Sequence, residues 1–123
     1  MTIQEVIHRL DSLHPNAFSV GEKIRWLSTV EGLIYNGVYA VHQNPPAPFE
    51  GFTPDTPLST QLFVPEPYHW LYHHYLEGQM LYAGGDINGY NNAMALYNGI
   101  FREYWRFYHA NHPSKATPLS VCG

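Results

Sequence analysis

"YHWLYHHYLEGQMLYAGGDINGYNNAMALYNGIFREYWRFYH", residues 68–109, is the stretch that decides the fold. Tyr68, Tyr75 and Tyr82 recur every seven residues, and so do Tyr90, Tyr97 and Tyr104. Seven residues are close to two helical turns, so each triplet lies on one face of a helix. Leu71 on the first segment, and Ala93, Ile100 and Phe107 on the second, fill the intermediate positions of the same faces. Gly84-Gly85 stops the first helix and Asp86 supplies an N-cap for the second. Two helices joined by so short a turn run antiparallel, and the spacing predicts a hairpin with facing aromatic seams. Pro65 and Pro67 suit the first turn of its first helix, which is expected to reach Ala83; its second is expected over Ile87 to Ala110.

Upstream, Thr2 and Glu5 form a T-x-x-E capping box before the apolar stripe Ile3, Val6, Ile7, Leu10 and Leu13, and Pro15 bounds this short helix. Ser19 and Glu22 repeat the device. Ile24, Leu27, Val30, Ile34, Val38 and Val41 then carry a helical period through Gly32 and Gly37. The period breaks over "QNPPAPFEGFTPDTPLSTQLFVPEP", residues 43–67, which holds seven of the ten prolines. This connection also carries Phe49, Phe52, Leu58, Leu62 and Phe63, too apolar for a solvated linker. It reads as an extended, ordered arm over 43–64 that docks on something, with a short strand expected around Gln61 to Val64. The expected architecture is therefore all-α, a four-helix core of two N-terminal helices and a C-terminal antiparallel hairpin, with a long Pro-rich arm between helices 2 and 3. Residues 1–112 form one domain, and residues 113–123 read as a mobile tail.

Composition narrows the function. The chain has 123 residues, a formal charge of −4 and only six Lys and Arg, which argues against holding nucleic acid, because each neutralised phosphate needs a cation. Charged residues are 13% of the chain against about 25% in an ordinary domain. Aromatics are 15%, ten of them tyrosines, a residue that can be buried in an interface while its hydroxyl stays satisfied at the rim. A Tyr-rich, charge-poor small protein points to self-association or a protein partner, or else to one well-filled monomeric core. Cys122 is the single cysteine, so no disulfide framework or multi-thiolate zinc site is expected. The N-terminus "MTIQEVIHRL" does not read as a signal peptide and no apolar run is long enough for a membrane span, so a cytoplasmic location is expected.

Candidate chemistry centres on the third helix. His69, His73 and Glu77 follow at steps of four, the spacing of a metal site, with His109 or His112 as further ligands. The zinc-protease signature needs a glutamate directly after the first histidine, and Trp70 stands there instead. The same row continues into Leu76, Met80 and Ala83, so His69 and His73 also read as the polar end of a packing seam. His74 and Glu77 occupy a narrow polar strip with Gly78; the rest of the circumference is apolar and requires cover from the arm or another subunit. "YAGGDINGYNN" lacks the G-x-x-x-x-G-K-[ST] pattern and reads as a turn. Asp11, Glu22, Glu31, Asp86 and Glu103 are explained by capping or solvated helix faces, and Ser28, Ser59 and Cys122 have no His and Asp context for nucleophilic catalysis. Arg102 and Arg106 beside Tyr104, Trp105 and Tyr108 suit interface or ion-pair contacts. No enzyme activity, cofactor or small-molecule substrate is expected, and the candidate interface residues are Phe49, Phe52, Leu62, Phe63, Trp70, His73, Tyr104, Trp105 and Tyr108.

The order of these features, and above all "KIRWLS" (residues 23–28), "VPEPY" (64–68) and "YNNAMALYN" (90–98), resembles a group of small proteins encoded near the capsid genes of phages and prophages of Firmicutes. These look like head-to-tail connector proteins, adaptor or head-completion, of tailed bacteriophages. The resemblance covers residues 1–42 and 62–112. It implies a helical structural protomer that assembles as a ring-like homo-oligomer beneath the portal, with extended segments reaching into neighbours, made in the host cytoplasm and then part of the virion. The third helix is more acidic and aliphatic in that group, so no role is carried over to His69, His73 or His74, and no catalytic residue comes with the resemblance. The alternatives are a metal-binding protein or metal-dependent enzyme using His69, His73 and Glu77, and a regulatory module that binds one host protein.

Overall fold

The computed structural model describes residues 1–115, and among these the fold is all-α with four helices. Helix α1 spans Ile3–Leu13 and α2 spans Val20–Ile34, continuing without a break into a π-helical segment, Tyr35–Tyr39. Helix α3 spans Trp70–Ala83 and α4 spans Ile87–Asn111. Among the described residues no helix is long and apolar enough to cross a membrane.

The local signals act as the sequence states them. Thr2 and Glu5 form the full capping box on α1, its hydroxyl accepting from Glu5 N–H and its own N–H donating to the Glu5 carboxylate. On α2, Ser19 accepts from Glu22 N–H at 3.1 Å, half of the same device. The hairpin turn takes three residues. Gly85 has φ of +83°, a left-handed value that suits glycine, and lets Gly85 N–H reach Tyr82 C=O and Asp86 N–H reach Leu81 C=O, a Schellman closure. Asp86 then accepts from Gly89 N–H at 2.8 Å and starts α4. The seams face each other in the expected order: Tyr68 lies 5.4 Å from Tyr104, Tyr75 5.4 Å from Tyr97, and Tyr82 5.1 Å from Tyr90, centroid to centroid.

Three boundaries differ from the sequence reading. Helix α3 begins at Trp70, because Pro65 to His69 form successive turns, Tyr68 N–H to Pro65 C=O and Leu71 N–H to Tyr68 C=O, before regular helix sets in. The expected strand near Gln61 is a single antiparallel bridge to Thr2; its partner backbone turns into α1 directly afterwards, so no ladder extends. The third difference lies at the end of α2. The π-turn inserts extra residues into the helical period, so His42 is fully buried and Val41, expected on the apolar stripe, is 41% exposed. The π segment also presents Gly37 to α4: a Cβ there would stand 3.0 Å from the Phe101 ring, and Gly37 C=O accepts from the Trp105 indole.

The connection over 43–69 is ordered against its own chain. Leu62 and Val64 are buried in the core, and Phe49, Phe52 and Phe63 pack against it. Phe52, Phe49, Phe63 and Tyr39 form a run of ring contacts at 5.0 to 6.0 Å, and Tyr39 continues it to Tyr108. Backbone bonds fix the course: Leu62 N–H donates to Met1 C=O, Ile3 N–H to Thr60 C=O, and Gln4 N–H to Leu58 C=O. The apolar side chains of the arm thus serve intramolecular packing, and the cover that α3 requires comes from α1, α2 and α4 of the same chain. At the other end, Gln43 N–H donates to Pro113 C=O and Lys115 N–H to Val41 C=O. The rest of the tail expected to be mobile, residues 116–123 with Cys122, lies outside the described residues.

Candidate functional site

Two sets of polar groups flank α3 in the interior. The first joins the arm to the bundle. Glu31, expected on a solvated helix face, is 1% exposed and sits on the buried row Leu27, Glu31, Ile34 and Val38 of α2. Its carboxylate accepts from Tyr72 O–H and, at 2.8 Å, from Phe63 N–H, while the Tyr72 hydroxyl accepts from Val64 N–H at 3.0 Å. Burial pushes the Glu31 carboxyl up to about 7, although the bonds from Tyr72 and Phe63 pull it back. Burial likewise raises the Tyr72 hydroxyl, so it remains a donor. These groups satisfy one another and leave no open position, which makes the set a structural clamp.

The second set lies where α1 ends against α3. His14, the C-cap of α1, directs Nε2 to Glu77 Oε2 at 3.1 Å. His74 Nδ1 stands 3.3 Å from the other oxygen, Oε1. The His73 ring lies 5.5 Å from that of His14, and the potential ligand atoms of His14, His73 and Glu77 all fall within 4.8 Å of one another. His73 is 6% exposed and its Nδ1 is buried without a hydrogen-bond partner. Burial, then the neighbouring His74, pulls His73 down to about 4, so it is a neutral imidazole at neutral pH. Arg9 covers the adjacent Trp70 ring at 4.3 Å.

The expected metal row is therefore rearranged. His73 and Glu77 come together, but the third member is His14 from another element, not His69. His69 is the N-cap residue of α3, 6% exposed, and outside the cluster: eight residues of helix, about 12 Å of rise, separate it from Glu77, whereas His14 reaches in from the end of α1. His109 and His112 belong elsewhere: His109 Nδ1 lies 3.0 Å from His42 Nε2, and His112 stacks on Tyr108 at 3.7 Å. His42 donates from Nδ1 to Val38 C=O, since a carbonyl can only accept.

The candidate interface residues are mostly interior. Tyr104, Tyr108 and Leu62 are buried, with Tyr39 and Tyr104 hydroxyls 2.7 Å apart; Phe49, Phe52, Phe63 and Trp105 are half-buried; of the nine, Trp70 alone is classed as exposed. Ile100 and Phe107, expected on the seam face with the tyrosines, lie at its outer flank instead, and Leu96 is an outward apolar group that the spacing does not single out. Leu96 and Phe107 on α4 are 53% and 47% exposed, and with half-buried Ile100 and exposed Glu103 they follow one helical row beside Pro67 and Tyr68. Asn92, Leu96 and Glu103 all face away from the tyrosine seam, a signal visible once α4 is assigned a single buried face. A groove of about 560 Å3 along α1 has Gln4, His8 and Asp11 as exposed polar lining and gathers no buried polar group.

Comparisons with protein-family models, with curated proteins and with solved structures find no match.

Proposed function

We propose that this protein is a non-enzymatic structural component of a phage or prophage particle, a head-to-tail connector protomer that self-associates into a ring. The observation that carries the reading is the outward apolar row of α4, Leu96, Ile100 and Phe107, on a chain with few charges. Ile100 packs partly against the core and the Phe107 ring lies 5.5 Å from that of Tyr68, yet about half of Leu96 and of Phe107 stays exposed beside the tyrosine seam, and a second copy of the chain is the occupant that suits this remaining apolar surface. The shared features "KIRWLS", "VPEPY" and "YNNAMALYN" support the connector class, and "VPEPY" lies beside this row through Pro67 and Tyr68. Because the arm is engaged with its own helices, the association in this proposal runs through helix faces, with the portal or a neighbouring head-tail protein as the second partner.

Solution mass, measured by light scattering over a range of concentrations with and without a portal protein, tests it. The wild type is expected to form a ring-sized oligomer in at least one of these conditions, and Leu96→Glu with Phe107→Glu to return it to a monomer with unchanged helicity. A wild type that stays monomeric throughout, or a double variant that assembles normally, overturns the proposal.

A further inference from the structure

We propose that His14, His73 and Glu77 form a site for one divalent transition metal of the zinc class, which clasps the end of α1 to α3. The donor set has the composition of a three-ligand zinc site, two imidazoles and a carboxylate, with a fourth position for water. Bonds of about 2.1 Å in a tetrahedron place ligand atoms roughly 3.4 Å apart. His14 Nε2 and Glu77 Oε2 already stand at 3.1 Å, and no pair in the cluster exceeds 4.8 Å, so the widest pair lies within about 1.4 Å of that spacing.

Two details distinguish this arrangement from a plain ion pair. An ion pair between His14 and Glu77 leaves His73 unexplained: it is buried and its Nδ1 has no partner, as is also true of His69 Nδ1, but of the two only His73 has a ring nitrogen within 4.8 Å of the ligand atoms of His14 and Glu77. The second detail is His74. It binds Glu77 Oε1 while Oε2 faces His14, so the carboxylate is oriented from behind in the way that outer partners orient a metal-binding carboxylate. The ligands also come from two elements far apart in sequence, so binding would tie the loop after α1 to the hairpin. The inference assigns metal binding alone, and it does not depend on the connector reading.

Zinc chloride titrated calorimetrically into the full-length, chelator-stripped protein tests the site, with the melting temperature followed in parallel. Wild type is expected to take up one zinc per chain and to melt several degrees higher with it. His14→Ala, a half-exposed side chain whose loss leaves the core intact, is expected to weaken zinc binding at least tenfold, and His73→Ala to do the same; His109→Ala, outside the cluster, should bind like wild type. Cobalt(II) gives a readout independent of stability, an intense visible spectrum of four-coordinate type that His14→Ala abolishes. Absence of stoichiometric zinc uptake by wild type overturns the proposal, as does undiminished binding by His14→Ala, or an equal loss in His109→Ala.

Discussion

Glu31 carries more of the pH response of this protein than its place in the sequence indicates. Its carboxyl is pushed up to about 7 in the folded chain from an ordinary 4.5 by burial, so between these values the folded state keeps a proton that the unfolded chain has released. Stability from this group therefore falls as pH rises through that window, by up to about 3 kcal/mol. His73 acts in the opposite sense. Pulled down to about 4 from 6.5, it refuses a proton that the unfolded chain accepts, so its contribution is lost as pH falls from 6.5 towards 4. Glu31→Gln mimics the protonated carboxyl and removes the first effect, leaving that of His73 and the smaller one, of the same sign, of buried His69. In metal-free buffer its melting temperature is expected to rise with pH between about pH 5 and 6.5 more steeply than that of wild type, then level off while wild type declines towards pH 7. Parallel profiles for the two proteins would show that Glu31 titrates normally. The burial of Glu31 was legible in one respect, since it lies four residues after Leu27 and three before Ile34. A carboxylate on an apolar row is a signal, but its partners, Tyr72 and the amide of Phe63, are distant in sequence and only the fold brings them to it.

The hairpin of α3 and α4 was the most legible element. Seven-residue tyrosine spacing on both helices and a two-glycine stop followed by an aspartate fix which faces meet and where the chain reverses. Local geometry makes one position in the turn unforgiving. Gly85 holds a left-handed φ of +83° with open space around it, so a side chain there meets no clash but strains the backbone. Gly85→Ala is expected to lower the stability by about 1 kcal/mol, read from the midpoint of a urea transition; an unchanged midpoint would mean that the turn adopts another closure at no cost. The end of α2 departs from its spacing for an equally local reason. A continuous α-helix places Val41 inward, whereas the π segment Tyr35–Tyr39 advances the phase and buries His42 instead. Nothing in "YNGVY" announces that change by composition; it accompanies the close approach of Gly37 to Phe101 and the Trp105 bond to Gly37 C=O.

At the scale of the whole molecule, the segment between α2 and α3 decides what surface is left for partners. Its phenylalanines continue the aromatic core, and its amides are held: Phe52 N–H by the Ser28 hydroxyl, Leu62 N–H by Met1 C=O, Phe63 N–H by Glu31 and Val64 N–H by Tyr72. Hydrogen exchange on the free protomer is expected to show slow amides at Leu62, Phe63 and Val64, approaching the protection of α3. Exchange there at the rate of an unstructured peptide would return the arm to the list of segments available to a neighbour. The sequence by itself determined the four helices, their caps and the antiparallel seams, because these depend on residue spacing and on turn chemistry within a few positions. The tertiary structure alone decided that the arm folds inward, that His14 replaces His69 beside His73 and Glu77, and that the outer row of α4 remains partly exposed. Each of those outcomes depends on which elements compete for the same apolar area and on distances between residues far apart in the chain, and neither quantity is written in local spacing.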